Sequence, residues 1–309
     1  MPYVYPTFVR KTSVYLTDEL KAGLAALAGR SQRSEADLIR LAVERLVHGE
    51  VSANATAERP AAVHPKGAPR VIAVGVGPGD PDLLTDRARQ ILRNADRVFS
   101  ASTGTDAIGR AEMIVRAALP DVVVDRLPIV IADDAQMRAH SMTNAAEALV
   151  RGVDAGCVVA FVTLGDPNLY TAFPAIARAI ASTRPDVTIE VVPGIMAFQD
   201  LAARAGTVVA EGDEHVLLVS AADAPSLTAA ALGDPQCTVV VYKGGRHLPD
   251  LADSLRRHDR MTGAVMGEML GQVGGRSVLV ASVADRPASY LATVIVPAVR
   301  AHIDVPVAS

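Results

Sequence analysis

The stretch "VGVGPGDPDLLT", Val74 to Thr85, ends an apolar run and decides how the rest of the chain is interpreted. In a G-x-G-x-x-G dinucleotide loop, the glycines let a pyrophosphate approach the backbone at a helix N-terminus. Here Pro78 and Pro81 remove two backbone N–H donors, and Asp80 brings a negative charge to the place of a phosphate. The stretch therefore predicts a ligand that tolerates close backbone approach, few amide donors and a nearby carboxylate, and argues against a phosphate cradle.

The composition narrows the class of protein. The chain has 309 residues, half of them apolar, with no Trp and a net charge of −4, which suits two or three domains with buried strands. The charge argues against a chain-wide nucleic-acid surface, and the apolar runs are too short to span a membrane. The N-terminus lacks the apolar region of a secretory signal, so we expect a cytoplasmic protein. Cys157 and Cys237 are expected in the core, and no metal site is predicted.

Residues 1–49 are predicted to form one strand and two helices. The segment "RKTSVYL" alternates apolar and polar residues, as a half-buried strand does. Thr17 and Ser34 are expected N-caps of two amphipathic helices, with Gly29 and Gly49 as their C-terminal stops. So small a unit cannot bury a core alone, and we expect it to dimerise through paired strands.

This N-terminal pattern resembles the ribbon–helix–helix family of DNA-binding modules. The resemblance implies that the outward strand residues, Lys11, Ser13 and Tyr15, contact the major groove. Seven basic and six acidic side chains in residues 1–50 leave a charge of only +1, which predicts a weak pull on DNA. A dimerisation or partner-docking module is therefore the alternative to a DNA-binding one.

Residues 50–69 are rich in Ala and Pro and are predicted to be a flexible linker. From residue 70 onward, strand and helix patterns alternate, which predicts an α/β fold with mainly parallel, doubly wound sheets. The polar run "TVVAEGDE" divides this region into an N-terminal α/β domain, 70–207, and a C-terminal α/β domain, 208–309.

Three loops of the first α/β domain begin where predicted strands end: "GVGPGD" at 75–80, "TLGDPNLY" at 163–170 and "VPGIMAF" at 192–198. In an open α/β sheet, loops at the carboxyl ends of the strands line the ligand crevice. Gly-Pro and Asp-Pro pairs can also serve only to stop strands. Because three such loops occur in one domain, we expect them to form one site.

The motifs "VGVGPGDPDLLT", "TLGDPNLYTAF" and "VVPGIMAFQDLAARAG" resemble signatures of the tetrapyrrole (corrin and porphyrin) methylases. "EGDEHVLLV", "VVVYKGGRHL" and "SYLATVIV" follow in the expected order, so the resemblance spans roughly residues 70–298. It implies a two-domain architecture with S-adenosylmethionine as cofactor. That ligand carries a sulfonium cation and no phosphate, and a proline-rich loop with carboxylates nearby suits it.

Carried over position by position, the resemblance implies a set of contacts with S-adenosylmethionine. These residues are Pro78, Gly79, Leu164, Gly165, Asp166, Leu169, Met196, Ala197 and Tyr242. Two positions depart from the family pattern. The family usually has a small hydroxyl residue where Met196 stands, which replaces a polar contact by packing. Tyr242 occupies a position often filled by Met, and its alignment against Lys243 is uncertain by one residue.

Within the family, "FVTLGDPNLYTAF" is most similar to the methyltransferases that act at C-20 of precorrin-2 or cobalt-factor II. A general base is needed only to remove the ring proton, and the candidates are Asp80, Asp166 and Tyr170. Each also has a structural interpretation: a turn cap, a loop carboxylate that binds amides, or a packing ring. Because the acceptor carries eight carboxylates, "KGGRHL" offers substrate-binding candidates in Lys243, Arg246 and His247, unless these are solvated loop charges.

The resemblance also implies a homodimer. Two other functions stay open. One is a methylase of the same fold with another acceptor, such as a peptide backbone. The other is a DNA-binding regulator that senses S-adenosylmethionine or a corrinoid. The intact Gly-Asp-Pro sequence in the second loop favours turnover over sensing.

Overall fold

The structure is a computed structural model, and its chain divides into two compact units, Met1–Pro60 and Ala61–Ser309. The described residues are 17–31, 34–39, 68–103, 108–130, 134–221 and 225–300.

The described part of the first unit contains two helices, α1 (Asp18–Ser31) and α2, which is described over 35–39. Both predicted caps are present, since Thr17 Oγ1 accepts from the Leu20 amide at 3.4 Å and Ser34 Oγ accepts from the Asp37 amide at 3.1 Å. The predicted stop at Gly29 is wrong, because α1 extends to Ser31. Gly29 does not adopt the left-handed conformation of a C-terminal cap, so the helix continues past it. The predicted strand lies outside the described residues.

The second unit begins with a parallel five-stranded sheet in the order β3-β2-β4-β1-β5. Its strands are β1 (Arg70–Gly75), β2 (Arg97–Ser102), β3 (Val124–Pro128), β4 (Val158–Thr163) and β5 (Ile189–Val192). The helices that follow these strands are α3 (Asp86–Asn94), α4 (Arg110–Ala118), α5 (Ala135–Asp154), α6 (Phe173–Thr183) and α7 (Ala197–Ala205).

Strand β1 shows why this sheet is covered on both faces. Ile72 and Val74 pack with α3 and α4, whereas Val71 and Ala73 pack with α5 and α6. All four side chains are fully buried, because alternate residues of a strand point to opposite faces. The predicted doubly wound parallel sheet is confirmed here.

The second sheet is mixed and has the order β6-β7-β10-β8-β9. Its strands are β6 (His215–Ser220), β7 (Cys237–Tyr242), β8 (Val265–Glu268), β9 (Arg276–Leu279) and β10 (Thr293–Val296), and its helices are α8 (Pro225–Leu232) and α9 (Leu248–Arg257). Strands β6 and β7 are parallel, and the other three pairs are antiparallel. The α/β class is confirmed, but the mainly parallel pairing predicted for this domain differs.

Two of the three antiparallel pairs involve β8, a strand that the sequence analysis does not predict. This strand is short and contains Gly267. A Cβ at this position would lie only 2.8 Å from Cδ1 of Leu201 in α7, so a glycine fits best there. The connection from β8 to β9, residues 269–275, is too short for a parallel crossover, so the two strands form a hairpin.

Helix α7 joins the two halves of the second unit. It follows β5 of the first sheet, yet Leu201 and Ala202 pack with Val240, Val265 and Ile295 of the second. The predicted boundary between 207 and 208 comes directly after this helix and stays a prediction. Within the described ranges, no helix is both long and apolar enough to cross a bilayer, and no group of three His, Cys, Asp or Glu side chains is arranged to hold a metal.

Candidate functional site

The three predicted loops meet at the carboxyl edge of the first sheet. A Cβ on Gly194 would lie 2.2 Å from the Gly165 carbonyl oxygen and 2.8 Å from the Gly75 backbone, so the three glycines form one backbone junction. The Gly165 amide also donates to the Gly77 carbonyl at 2.8 Å. These glycines allow the loops to pack on one another. The sequence analysis explains them instead by the close approach of a ligand to the backbone.

Asp166 holds two of these loops in place. One carboxylate oxygen accepts from the Asn168 amide at 2.9 Å, and the other accepts from the Gly194 amide at 3.1 Å. Asp166 therefore binds loop amides, as its structural interpretation predicts. Its predicted roles as a base and as a cofactor contact are not tested by these contacts and stay predictions.

Asp80 lies where the first loop meets the second half of the unit. Its side chain accepts from the Asp82 amide at 3.0 Å and pairs with Arg204 of α7 at 3.4 Å. Next to it, Pro78 and Gly79 are buried, and a Cβ on Gly79 would lie only 1.8 Å from the Leu270 carbonyl oxygen. The first loop is thus pressed against the β8–β9 turn, and Asp80 caps a turn as one of its two interpretations predicts.

Tyr170 and Tyr242 bring the second loop and the second sheet together. Their ring centroids are 5.5 Å apart, and the Tyr170 hydroxyl donates to the Leu218 carbonyl at 2.9 Å. Tyr170 adopts a left-handed backbone conformation, φ 51°, which costs free energy in a residue with a Cβ. The contact of its ring with Tyr242 offsets part of this cost.

The Tyr242 hydroxyl is buried and has no hydrogen-bond partner in the described structure. Burial raises its pKa, although the nearby Phe198 backbone opposes this rise without forming a hydrogen bond of ordinary geometry. The hydroxyl is therefore a neutral donor at physiological pH. A buried polar group without a hydrogen-bond partner is destabilising. An acceptor group of a ligand would form the missing hydrogen bond here.

The start of α7 presents a further open donor beside this hydroxyl. The Met196 amide donates to the Gln199 side chain at 2.8 Å and the Phe198 amide faces the Tyr242 hydroxyl, whereas the amide of Ala197 donates to no described residue. Leu164, Leu169, Met196 and Ala197 are all partly buried. The arrangement offers a neutral hydroxyl, one open backbone donor and apolar side chains to a small ligand.

The predicted substrate residues follow β7 at the same edge. Lys243 has a left-handed backbone, φ 56°. The Arg246 guanidinium lies 5.1 Å from the centroid of the Tyr290 ring, and His247 is 4.0 Å from Asp250. Lys243 and Arg246 form no ion pair with any described residue, so both cations are open to an anionic ligand.

The sequence analysis missed three residues at this edge: Arg110, Glu268 and Ser289. Arg110 begins α4, just after the carboxyl end of β2, and donates to Ser289 Oγ at 3.2 Å. The strand-end rule that identified the three loops could have found it. Glu268 ends β8, and a prediction that omits β8 cannot place it. The predicted DNA contacts Lys11, Ser13 and Tyr15 lie outside the described residues.

Two family models match the chain. Residues 70–285 match the tetrapyrrole (corrin/porphyrin) methylases, and residues 10–48 match the ribbon–helix–helix proteins of the CopG family. The first match covers most of the second unit, and the second confirms the predicted character of the N-terminal segment.

Individual proteins agree with the first of these matches. A precorrin-2 C(20)-methyltransferase of Sinorhizobium sp. is 32% identical over 243 residues, which are 75% of this chain and 96% of the relative. A cobalt-precorrin-2 C(20)-methyltransferase of Salmonella typhimurium is 31% identical over 180 residues, 57% of this chain and 74% of the relative. A solved uroporphyrin-III C-methyltransferase of Thermus thermophilus, complexed with S-adenosylhomocysteine, shares the fold with a TM-score of 0.53 at 22% identity, covering 73% of this chain and 96% of that one.

Proposed function

Because the chain is a methyltransferase that belongs to the tetrapyrrole (corrin/porphyrin) methylases, we propose that it methylates C-20 of precorrin-2 or cobalt-factor II, with S-adenosylmethionine as methyl donor. The observation that carries this proposal is the similarity to the Sinorhizobium precorrin-2 C(20)-methyltransferase, which spans 96% of that relative. The reaction would place the protein in cobalamin biosynthesis.

The residues at the start of α7 fit the cofactor. S-adenosylmethionine carries a carboxylate, ribose hydroxyls and adenine nitrogens, all of which accept hydrogen bonds. The Tyr242 hydroxyl and the Ala197 amide are the donors that would meet them. Leu164, Leu169 and Met196 would pack against its apolar parts. We keep Pro78, Gly79, Gly165 and Asp166 in the proposed cofactor-binding set as the residues that hold the loops in this arrangement.

The bound cofactor supplies an activated methyl on a good leaving group, so the chain's main task is orientation. Alignment of the two reactants can lower a barrier by about 7–11 kcal/mol without any strong acid. In our proposal, the glycine junction and Asp166 fix the loops, and the two tyrosines close one side of the site. Asp80, Asp166 and Tyr170 remain the proposed proton acceptors. The two carboxylates accept hydrogen bonds from backbone amides, and the Tyr170 hydroxyl donates one to the Leu218 carbonyl.

The acceptor-binding residues that we propose are Lys243, Arg246 and His247, which follow β7. Two of them are cations without an ion-pair partner among the described residues. Arginine suits a carboxylate because its planar fork donates two parallel hydrogen bonds. A polycarboxylate macrocycle is the kind of ligand that such a loop would bind.

For the N-terminal segment, we propose dimerisation through paired strands, with DNA contact by Lys11, Ser13 and Tyr15 as a further possibility to test. The match to ribbon–helix–helix proteins supports this. So do Leu20 and Leu27 of α1, whose side chains are 61% and 44% exposed. A homodimer of the whole chain would join two catalytic units through this segment.

Anaerobic incubation with S-adenosylmethionine and each acceptor, followed by mass spectrometry, tests the proposal. We expect one added methyl on precorrin-2 or cobalt-factor II, and none on uroporphyrinogen III or on peptides. Methylation of uroporphyrinogen III alone would replace the proposed acceptor by an earlier tetrapyrrole. Binding of S-adenosylmethionine without any methylated product would favour a sensor with a DNA-binding module.

A further inference from the structure

Arg110 belongs to the half of the second unit that contains the first sheet, and its side chain contacts the half that contains the second sheet. It is the first residue of α4, and its guanidinium donates to Ser289 Oγ at 3.2 Å, just before β10. The side chain is partly buried, and this burial lowers its pKa although Glu268 nearby opposes the shift. Arginine stays protonated under such conditions, so a cation stands between the two halves.

No carboxylate of the described structure neutralises this cation directly. Arg110 forms no ion pair within 4.0 Å, and the contact with Ser289 is the one hydrogen bond of its side chain to a described residue. Glu268 influences it from a distance, but its own oxygens are occupied by Arg276 at 2.6 Å and the Ser289 amide at 2.7 Å. A guanidinium carries five N–H donors, so most of the donors of Arg110 have no acceptor among the described residues.

A second cation without an ion pair to a described residue contacts the same backbone segment. Arg246 stacks over Tyr290, which directly follows Ser289. The two loops are in close contact, because the Ala288 amide donates to the Gly245 carbonyl at 2.8 Å and a Cβ on Gly245 would lie 1.9 Å from the Ser289 carbonyl oxygen. Arg110 and Arg246 therefore contact two neighbouring residues, Ser289 and Tyr290, one from each half of the unit.

We propose that Arg110 is an acceptor-binding residue that forms a two-point carboxylate clamp together with Arg246. This inference rests on the proposed function and adds a contact from the first sheet's half to it. Two carboxylates on the rim of the macrocycle would each meet one guanidinium, which fixes the ring's rotation relative to both halves. A partly buried guanidinium binds a carboxylate more strongly than an exposed one, because less water competes for it.

The test compares Arg110→Gln with Arg110→Lys and with Arg93→Gln, a matched loss of charge at an exposed helical arginine of the same half. For Arg110→Gln we expect the KM for the acceptor to rise roughly 10- to 100-fold, since a hydrogen bond to a charged group is lost. The calorimetric Kd for S-adenosylmethionine should stay within about twofold. Arg110→Lys should be intermediate, and Arg93→Gln should match the wild type.

An unchanged acceptor KM in Arg110→Gln, with active wild-type protein, overturns the clamp and leaves the proposed function standing. If the wild type methylates no acceptor, absorbance titration with the same tetrapyrroles decides between the two. Weaker tetrapyrrole binding by Arg110→Gln would support the clamp although the proposed function fails. Equal binding by Arg110→Gln and the wild type would contradict both the clamp and the proposed function. Should Arg110→Gln fail to fold, Arg110→Lys carries the same comparison with the charge retained.

Discussion

At the scale of single residues, the Tyr242 hydroxyl is the clearest sign of a bound ligand. It is a buried donor without a partner, and folding does not by itself reward such a group. The surrounding residues explain its position, since Tyr170 packs against its ring and the start of α7 lies beside its hydroxyl. We therefore expect stability and ligand affinity to respond in opposite directions when it is removed.

The substitution Tyr242→Phe tests this expectation. Without ligand, loss of the unpaired hydroxyl should leave the free energy of unfolding unchanged or raise it by up to roughly 1 kcal/mol. The Kd for S-adenosylmethionine should rise about tenfold, the equivalent of one hydrogen bond. Urea denaturation and calorimetry measure the two quantities. A Tyr242→Phe protein that is less stable yet binds the cofactor normally would show that the hydroxyl has a structural role only.

Gly194 gives a second prediction at this scale. An alanine there would bring its Cβ to 2.2 Å from the Gly165 carbonyl oxygen, so the loops must separate. We expect Gly194→Ala to cost roughly 1–3 kcal/mol of stability and to weaken S-adenosylmethionine binding. Gly233→Ala is the control, because the nearest atom to its Cβ is at an ordinary 3.4 Å. Equal behaviour of the two variants would contradict the close junction of loops.

At the scale of elements, a buried carboxylate fastens α4 to β3. Glu112 has a fully buried side chain, and it receives hydrogen bonds from Arg126 at 2.7 Å and 3.0 Å and an ion pair from Arg116 at 2.6 Å. Burial raises the pKa of the Glu112 carboxyl, but the two arginines outweigh it and hold the pKa below its ordinary value. This network fixes the helix whose first residue is Arg110.

Glu112→Gln should therefore be destabilising in a pH-dependent way. A carboxyl with a depressed folded-state pKa stabilises the fold above its unfolded pKa, here about 4.5, and loses this effect as the pH falls through the folded value. We expect a cost of about 3 kcal/mol at pH 7, shrinking below pH 4.5. Urea denaturation across pH measures it.

The control for this prediction is Glu147→Gln, whose partner Arg151 lies 3.8 Å away and whose side chain is 61% exposed. We expect an effect below about 0.5 kcal/mol at any pH. A cost for Glu112→Gln that stays constant between neutral and acid pH would show that packing, rather than ionisation, is lost.

At the scale of the whole molecule, the parallel sheet and the loops at its carboxyl edge could be predicted because short stretches of sequence specify them. Apolar runs such as that of β1 define buried strands, and Gly-Pro pairs mark their ends. The β8–β9 hairpin could not be predicted in the same way, since Gly267 interrupts a short strand whose packing against Leu201 is a long-range contact. The same limit applies to the contact between Arg110 and Ser289, which are 179 positions apart.

The most direct test of the central claim, methyl transfer to C-20, is a single turnover with S-adenosylmethionine that carries a carbon-13 methyl group. Precorrin-2 and cobalt-factor II are supplied separately under anaerobic conditions, and the product is examined by NMR. We predict one labelled methyl, attached to C-20, with an equal amount of S-adenosylhomocysteine. A label at another ring carbon, or S-adenosylhomocysteine formed without a labelled tetrapyrrole, would contradict the account.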